Sequence, residues 1–311
     1  MKRFKGCTGH LKKGYKHTEQ LTESIYLATR LASKERKISV NSVLKLLGVS
    51  SSGYYSWVKR TPSDQEIRKQ TIKAEIVEIY NESHQIYGAP KITSILQSRG
   101  PVIAEKTVGN YMREEGIKAI WVRPYTRTTI DPDFDNKLKN ILNRDFNPKA
   151  ANTVWVTDIT YVYTLSGFAY LTSVMDLFSR KIIGWQVSDS LSTEHVLKAI
   201  EKAKANRKIS QPVVIHSDRG VQFVSKSYLE ATPAAHFIHS YSKKGTPWDN
   251  ACIEAFHALI KREWLNRYVI KNTKHAQELV FEYIEAFYNT VRIHEHCGMM
   301  SPYNFENTLV C

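Results

Sequence analysis

No segment of this chain approaches the run of about 18 apolar residues needed to span a bilayer. Its start, "MKRFKGCTGHLKKGYKH", is basic but lacks the apolar stretch of a secretory signal. The expectation is a cytoplasmic protein with no membrane partner. Cysteine is scarce as well. The four, at positions 7, 252, 297 and 311, include no Cys-x-x-Cys pair, which argues against a zinc ribbon or a disulfide framework. His294, His296 and Cys297 stand close together, but they lack a fourth ligand and match no common zinc spacing. Internal repeats and low-complexity tracts are absent.

Acidic residues are few beside the basic ones: 30 Asp+Glu against 44 Lys+Arg in 311 residues, a net charge of +14. The excess is uneven. Residues 1–150 hold 27 basic and 15 acidic side chains, and the first 60 alone hold 13 and 3. Such a field attracts polyanions, and counterion release makes nucleic acid its natural partner. The same half reads as short helices. "ISVNSVLKLLGVSSSGYYSWVKR" (residues 38–60) sets an apolar-periodic helix, a turn at Gly48 and a second helix capped by Ser50 or Ser51. That layout suits a helix-turn-helix and a plain helical hairpin about equally. A long helix is expected over 64–82. A second helix pair follows over 87–117, with Ile92, Ile95, Leu96, Val108 and Met112 as its core and Lys91, Lys106 and Arg113 exposed.

After a proline-containing, mixed-charge stretch the pattern changes to strands. "TVWVTDITYVYT", "FAYLTSVMDLF" and "KIIGWQVS" are β-branched and aromatic, with turns at Ser166-Gly167 and Ser179-Arg180, and predict an antiparallel meander. A helix over 192–206, the strand "PVVIHSDRG", a helix over about 222–232, the strand "HFIHSYS" and a last helix give the order β-β-β-α-β-α-β-α. The last helix carries Ile253, Phe256, Ile260 and Trp264 at helical spacing, with Asp249 or Asn250 as its cap. Beside that apolar stripe lie Glu254, His257 and Lys261, which would normally be a solvated edge.

Other carboxylates change that reading. Asp158 lies in the first strand and Asp218 ends the fourth; fifty-nine residues separate these two, and thirty-five separate Asp218 from Glu254. Singly, each is more often an ordinary polar residue. Asp176 is expected to serve a turn and Asp249 a cap. If the first and fourth strands are neighbours, the three acids converge. Clustered carboxylates repel one another unless a hard, oxygen-binding cation such as Mg²⁺ is present. Two such ions suit chemistry at a phosphodiester.

The blocks "WVTDITYV", "VMDLFSRKIIGW", "HSDRGVQF", "SYSKKGTPWDNACIEAFHALIKRE" and "YNTVRIHEHCGMMSPYNFE", with both helix pairs, resemble the insertion-sequence transposases of the family named after insertion sequence three, whose core is similar to retroviral integrases. Trp248 and "HEHCGMMSP" depart from that family's usual pattern without touching the acids. The resemblance implies an α/β, ribonuclease H-like mixed-sheet catalytic core preceded by all-α helix-turn-helix DNA-binding domains. The expected divisions are a basic arm and helix-turn-helix (1–62), a second helical DNA-binding domain (63–120), a linker (121–150), the catalytic core (151–270) and a C-terminal helical extension (271–311). It further implies Asp158, Asp218 and Glu254 as catalytic metal ligands for two ions, Mg²⁺ or Mn²⁺. Lys261 is implied at the DNA, and Lys243, Lys244, Lys59, Arg60, Lys106 and Arg113 are further candidate DNA contacts. Expected partners are double-stranded DNA, both element ends and target, and a second copy of the chain. An upstream-frame product, separate or fused, is a further candidate. A DNA-binding regulator with an idle core and a hydrolase that cuts without joining are the competing readings.

Overall fold

Residues 154–188 alternate β-branched and aromatic side chains around two tight turns, and they fold as the antiparallel meander their pattern predicts. The computed structural model describes residues 22–31, 33, 39–120, 138–233 and 236–308. In it, strands β1 (Val154–Thr164), β2 (Gly167–Asp176) and β3 (Lys181–Ser188) pair in succession, with Gly167 at φ +120° in the first turn. Strands β4 (Val213–Ser217) and β5 (Phe237–Tyr241) join on the other side of β1, both parallel to it, giving the order β3-β2-β1-β4-β5.

The chain divides into two compact units, Met1–Ile72 and Lys73–Cys311. In the first, residues 22–31 form helix α1, followed by α2 (Val40–Leu46) and α3 (Ser51–Lys59). Gly48 takes φ +65° between the last two, and the Ser50 hydroxyl accepts from the Gly53 amide to cap α3. Tyr26, Leu44 and Tyr54 make the small core of this unit. A side chain at Gly53 would collide with the Tyr26 hydroxyl, so α1 packs where only glycine fits. Helix α4 spans Asp64–Glu82, as its sequence pattern predicts.

In the second unit, α5 (Ala89–Ser98) and α6 (Glu105–Glu114) bury Ile92, Leu96, Val108 and Met112, while Ile95 is only half-buried. Lys73 ties α4 to the end of this pair through Glu114 (2.9 Å) and Glu115 (2.7 Å). Lys106 and Arg113 are exposed as expected. Lys91 is not. It lies half-buried with its ammonium 4.8 Å from the centre of the Tyr87 ring, and burial followed by the nearby Arg292 charge pushes its pKa down to about 7. The pattern of one helix could not show that a neighbouring surface covers this face.

One face of the sheet packs on α7 (Thr193–Ala205), α8 (Val221–Val224) and α9 (Lys226–Ala231), with Trp155, Val174, Ile183, Ile200, Ile215 and Phe223 among the buried residues. A side chain at Gly184 would meet the backbone of Ala199 and Ala203, so glycine lets α7 lie directly on β3. The single helix expected over 222–232 is broken at Ser225, whose extended backbone and hydroxyl cap α9 at the Tyr228 amide. Of the stretch expected as a linker, residues 121–137 lie outside the described residues. Residues 138–145 line the β5 edge: Tyr241 donates its amide to the Lys139 carbonyl, and the Ser240 hydroxyl accepts from the Ile141 and Leu142 amides.

On the other face lies α10 (Ala251–Glu263), followed by α11 (Thr273–Phe281), a π-helical turn over Glu282–Tyr288 and α12 (Pro302–Asn307). The end of α10 is locked by a buried charge pair. Arg292 donates twice to the Glu263 carboxylate, at 2.7 Å each, and the Tyr283 hydroxyl donates a third bond at 2.6 Å. Burial pushes the Glu263 carboxyl up, but the bonds from Arg292 and Tyr283 more than reverse this and hold it below the usual range. Its charge is therefore retained, and its removal would strand a buried guanidinium. We predict that Glu263→Gln costs about 3–5 kcal/mol of stability, the typical penalty for breaking one side of a buried pair. Urea denaturation followed by tryptophan fluorescence measures this; a loss under about 1 kcal/mol would contradict the assignment.

Candidate active site

The pairing of β1 with β4 sets the site. Val154 lies opposite Val214, Trp155 opposite Ile215 and Val156 opposite His216, a constant offset. Continued by two residues, that register would bring Asp158 level with Asp218, the residue directly after β4 ends at Ser217. Because side chains alternate along β1, Asp158 falls on the same face as Val156, the face that α10 covers. The sheet order thus meets the adjacency that convergence requires.

Helix α10 is seated on β1 at three points. The Asn250 side-chain amide donates to the Thr157 carbonyl (3.1 Å). His257 places Nδ1 3.4 Å from Asp158 Oδ2 and Nε2 3.2 Å from the Ser173 hydroxyl. The Lys261 ammonium donates to the Thr160 hydroxyl (2.7 Å). Ile253, Phe256 and Ile260 are fully buried beneath the same helix, and Trp264 nearly so. Glu254, half-buried, stands one turn after Asn250 and one turn before His257, on the seated side of the helix.

The strand ends and the loop before α10 are held by polar groups. His216 is fully buried between the Ser240 and Ser242 hydroxyls (2.8 and 3.1 Å), and burial pushes its pKa down to about 4. Asp218 itself is exposed, and its Oδ1 accepts from the Gly220 amide (2.9 Å). Asp249 does not cap α10. A 3₁₀ turn over Pro247–Asn250 points it inward, where it accepts from the Lys243 amide, the Thr246 hydroxyl, Asn140 and Arg144. Asn250 occupies the cap position, but its side chain makes no capping bond there. Asp176 serves its turn as expected, accepting from the Phe178 amide.

The expected residues fall into two classes. Asp158 lies in the middle of β1, Asp218 directly after the end of β4, and Glu254 in the first turn of α10, the helix seated on β1. The basic candidates are dispersed: Lys243 and Lys244 are exposed after β5, Lys106 and Arg113 on α6, and Lys59 and Arg60 at the end of α3, where Arg60 pairs with Glu66. Three residues gained importance only from the structure: Asn250, His257 and Ser173. The three-residue spacing of His257 from Glu254 was the visible signal; its partner on β2 was not visible. Among the described residues, no three His, Cys, Asp or Glu side chains are gathered closely enough to hold an ion. His294, His296 and Cys297 are dispersed to other tasks, with Cys297 donating to the Ser179 carbonyl and His296 against that of Phe178.

Comparison with known proteins agrees with this architecture. The integrase core domain family matches residues 148–247 and, in a second form, 236–302; an HTH-like domain matches residues 66–125. The transposase InsF for insertion sequence IS3A of Escherichia coli (strain K12) is 32% identical over 88% of this chain and 96% of its own. An uncharacterized 31 kDa protein of insertion element IS600 from Shigella sonnei is 31% identical over 84% of this chain and 96% of its own. Among solved structures, the catalytic core domain of HTLV-2 integrase, in complex with magnesium, covers 51% of this chain and 98% of its own at 16% identity and a TM-score of 0.39. The mixed sheet with its flanking helices is a ribonuclease H-like α/β core, and the integrase matches span all three acids. By its identity to InsF along nearly the whole of both chains, the protein belongs to the transposase family of insertion sequence IS3, and its function is DNA transposition.

Proposed function

We propose that this transposase cuts at the ends of its insertion sequence and joins the freed 3′-hydroxyl to a second phosphodiester, with Asp158, Asp218 and Glu254 holding Mg²⁺ or Mn²⁺, two ions per site. The observation that supports this reading is the β1–β4 register, Val154–Val156 against Val214–His216, which continued by two residues would set Asp158 level with Asp218, with the helix bearing Glu254 seated on β1. The donor set is all carboxylate, the chemistry that hard divalent cations take. Held by these residues, such ions would supply activation of an attacking oxygen and stabilisation of a leaving one at a phosphodiester. The chain's own part is to hold the carboxylates on β1, at the end of β4 and on one helix.

DNA reaches this site through the basic surfaces. Lys261 lies two turns beyond Glu254 on the same face, about 10 Å along the axis. Its ammonium rests on Thr160 and would turn from there to a phosphate or base edge near the terminus. Lys243 and Lys244 flank the helix start, and Lys106, Arg113, Lys59 and Arg60 extend the contact over the helical regions. At least two copies work on paired ends, in the bacterial cytoplasm, alone or with the product of an upstream frame. No helix among the described residues is long and apolar enough to cross a membrane.

Asp158→Asn, Asp218→Asn and Glu254→Gln should each lower nicking and joining by more than about a hundredfold, beyond the effect typical of residues that only support a ligand, while end binding survives. Near-normal joining by any one variant in Mg²⁺ would remove that residue from the ligand set. Lys261→Ala should weaken end binding and lower joining severalfold, and leave metal affinity without DNA unchanged. Equal activity of Lys261→Ala and wild type across a salt titration would contradict its role at the DNA.

A further inference from the structure

We infer that His257 is a positioning residue for Asp158, and that the Ser173–His257–Asp158 chain fixes where the Glu254 helix meets the β1 carboxylate. The inference rests on the reading of Asp158 and Glu254 as metal ligands. Three observations support it. Asp158 and Ser173 are directly paired across β1 and β2, so their side chains rise side by side from the same face of the sheet. The His257 ring comes down onto both, 3.4 Å from Asp158 Oδ2 through Nδ1 and 3.2 Å from Ser173 Oγ through Nε2. All three groups are withdrawn from water: His257 is 5% exposed, Ser173 0%, and the Asp158 side chain 14%.

The chemistry follows from the two ring nitrogens. His257 Nδ1 faces the Asp158 carboxylate, which can only accept and so favours a proton on Nδ1; the Ser173 hydroxyl, able to donate or accept, then donates to Nε2. A carboxylate has two oxygens. The contact lies on Oδ2 and leaves Oδ1 outside it. Ligating carboxylates are commonly held in this way by an outer hydrogen bond that fixes their orientation.

The seat also sets the helix. His257 is one turn from Glu254, and Asn250 grips the Thr157 carbonyl one turn on the other side. Glu254 is therefore clamped between two points fixed to residues 157 and 158 of one strand. Clamping matters because the three carboxylates repel one another before a cation arrives. A loosely held Asp158 would swing away, and the ion would have to pay for drawing it back. His257 is thus expected to set the metal requirement of the reaction and to contribute little to DNA affinity.

The test is an Mg²⁺ titration of strand transfer with full-length protein on authentic element ends. End binding without metal and thermal stability are measured in parallel. His257→Ala should raise the half-saturating Mg²⁺ concentration about 10- to 100-fold, with metal-free end affinity unchanged. His257→Asn keeps an amide donor near the Nδ1 position and should recover most of the loss; His257→Gln, whose donor falls near Nε2, should not. Ser173→Ala should shift the requirement in the same direction by a smaller factor. An unchanged half-saturating Mg²⁺ in His257→Ala would overturn the inference, as would equal recovery by Asn and Gln. A fall in thermal stability with no shift in Mg²⁺ requirement would reduce His257 to a packing residue. Asp158→Asn, run alongside, separates the two levels: if it still joins DNA, the ligand reading itself has failed.

Discussion

Parallel pairing of β1 with β4 is the constraint on which the rest of this site depends. Strand pairing fixes register to one residue, and a slip by one would send Asp158 to the opposite face. Here the fixed pairs run from Val154–Val214 to Val156–His216; Asp158 follows two residues later within β1, and Asp218 stands one residue past the end of β4. The strands can pair this way because a crossover intervenes, as parallel neighbours require. The connection from β1 to β4 runs through β2, β3 and α7, and α7 lies close enough to β3 to need Gly184. A buried face of Trp155, Val174 and Ile215 beneath the helices holds the register against slippage.

The third acid comes from an element with its own fastening. Burial of Ile253, Phe256 and Ile260 contributes roughly 1.5–3 kcal/mol for each side chain, enough to dock α10 but not to fix its rotation or advance. Polar contacts supply the placement: Asn250 to Thr157, His257 to Asp158 and Ser173, Lys261 to Thr160. At the far end, the Glu263–Arg292 pair joins α10 to the C-terminal extension, with Lys91 from α5 nearby. Such buried charges are a poor source of net stability and a good source of specific placement. The loop entering α10 has its own anchor in Asp249, which gathers Lys243, Thr246, Asn140 and Arg144 around one carboxylate.

Much of this was legible in the sequence because it is local or periodic. The meander, the 64–82 helix, the Gly48 turn with its Ser50 cap and the apolar stripe of α10 each follow from propensity and spacing. The proposal of the three acids rests on their joint spacing and family context, since each alone has an ordinary explanation. What was missed depends on contacts far apart in the chain. Lys91 looks solvent-facing on its own helix and is covered only by the fold around Tyr87, Glu263 and Arg292. Asp249 stands where a cap belongs, but a 3₁₀ turn of residues 247–250 redirects it. His257 appeared as part of a polar stripe, while its importance depends on Ser173, eighty-four residues earlier and fixed by cross-strand register.

Convergence of the three acids on bound metal can be measured without relying on activity. With Fe²⁺ in place of Mg²⁺, ascorbate and peroxide generate hydroxyl radicals at the ion, and these cut nearby backbone. Fragments mapped by mass spectrometry should show cuts clustered around residues 158, 218 and 254 together, suppressed by excess Mg²⁺ and lost in Asp158→Asn. Cuts confined to one of these segments, or centred elsewhere in the chain, would contradict a single site built by β1, β4 and α10.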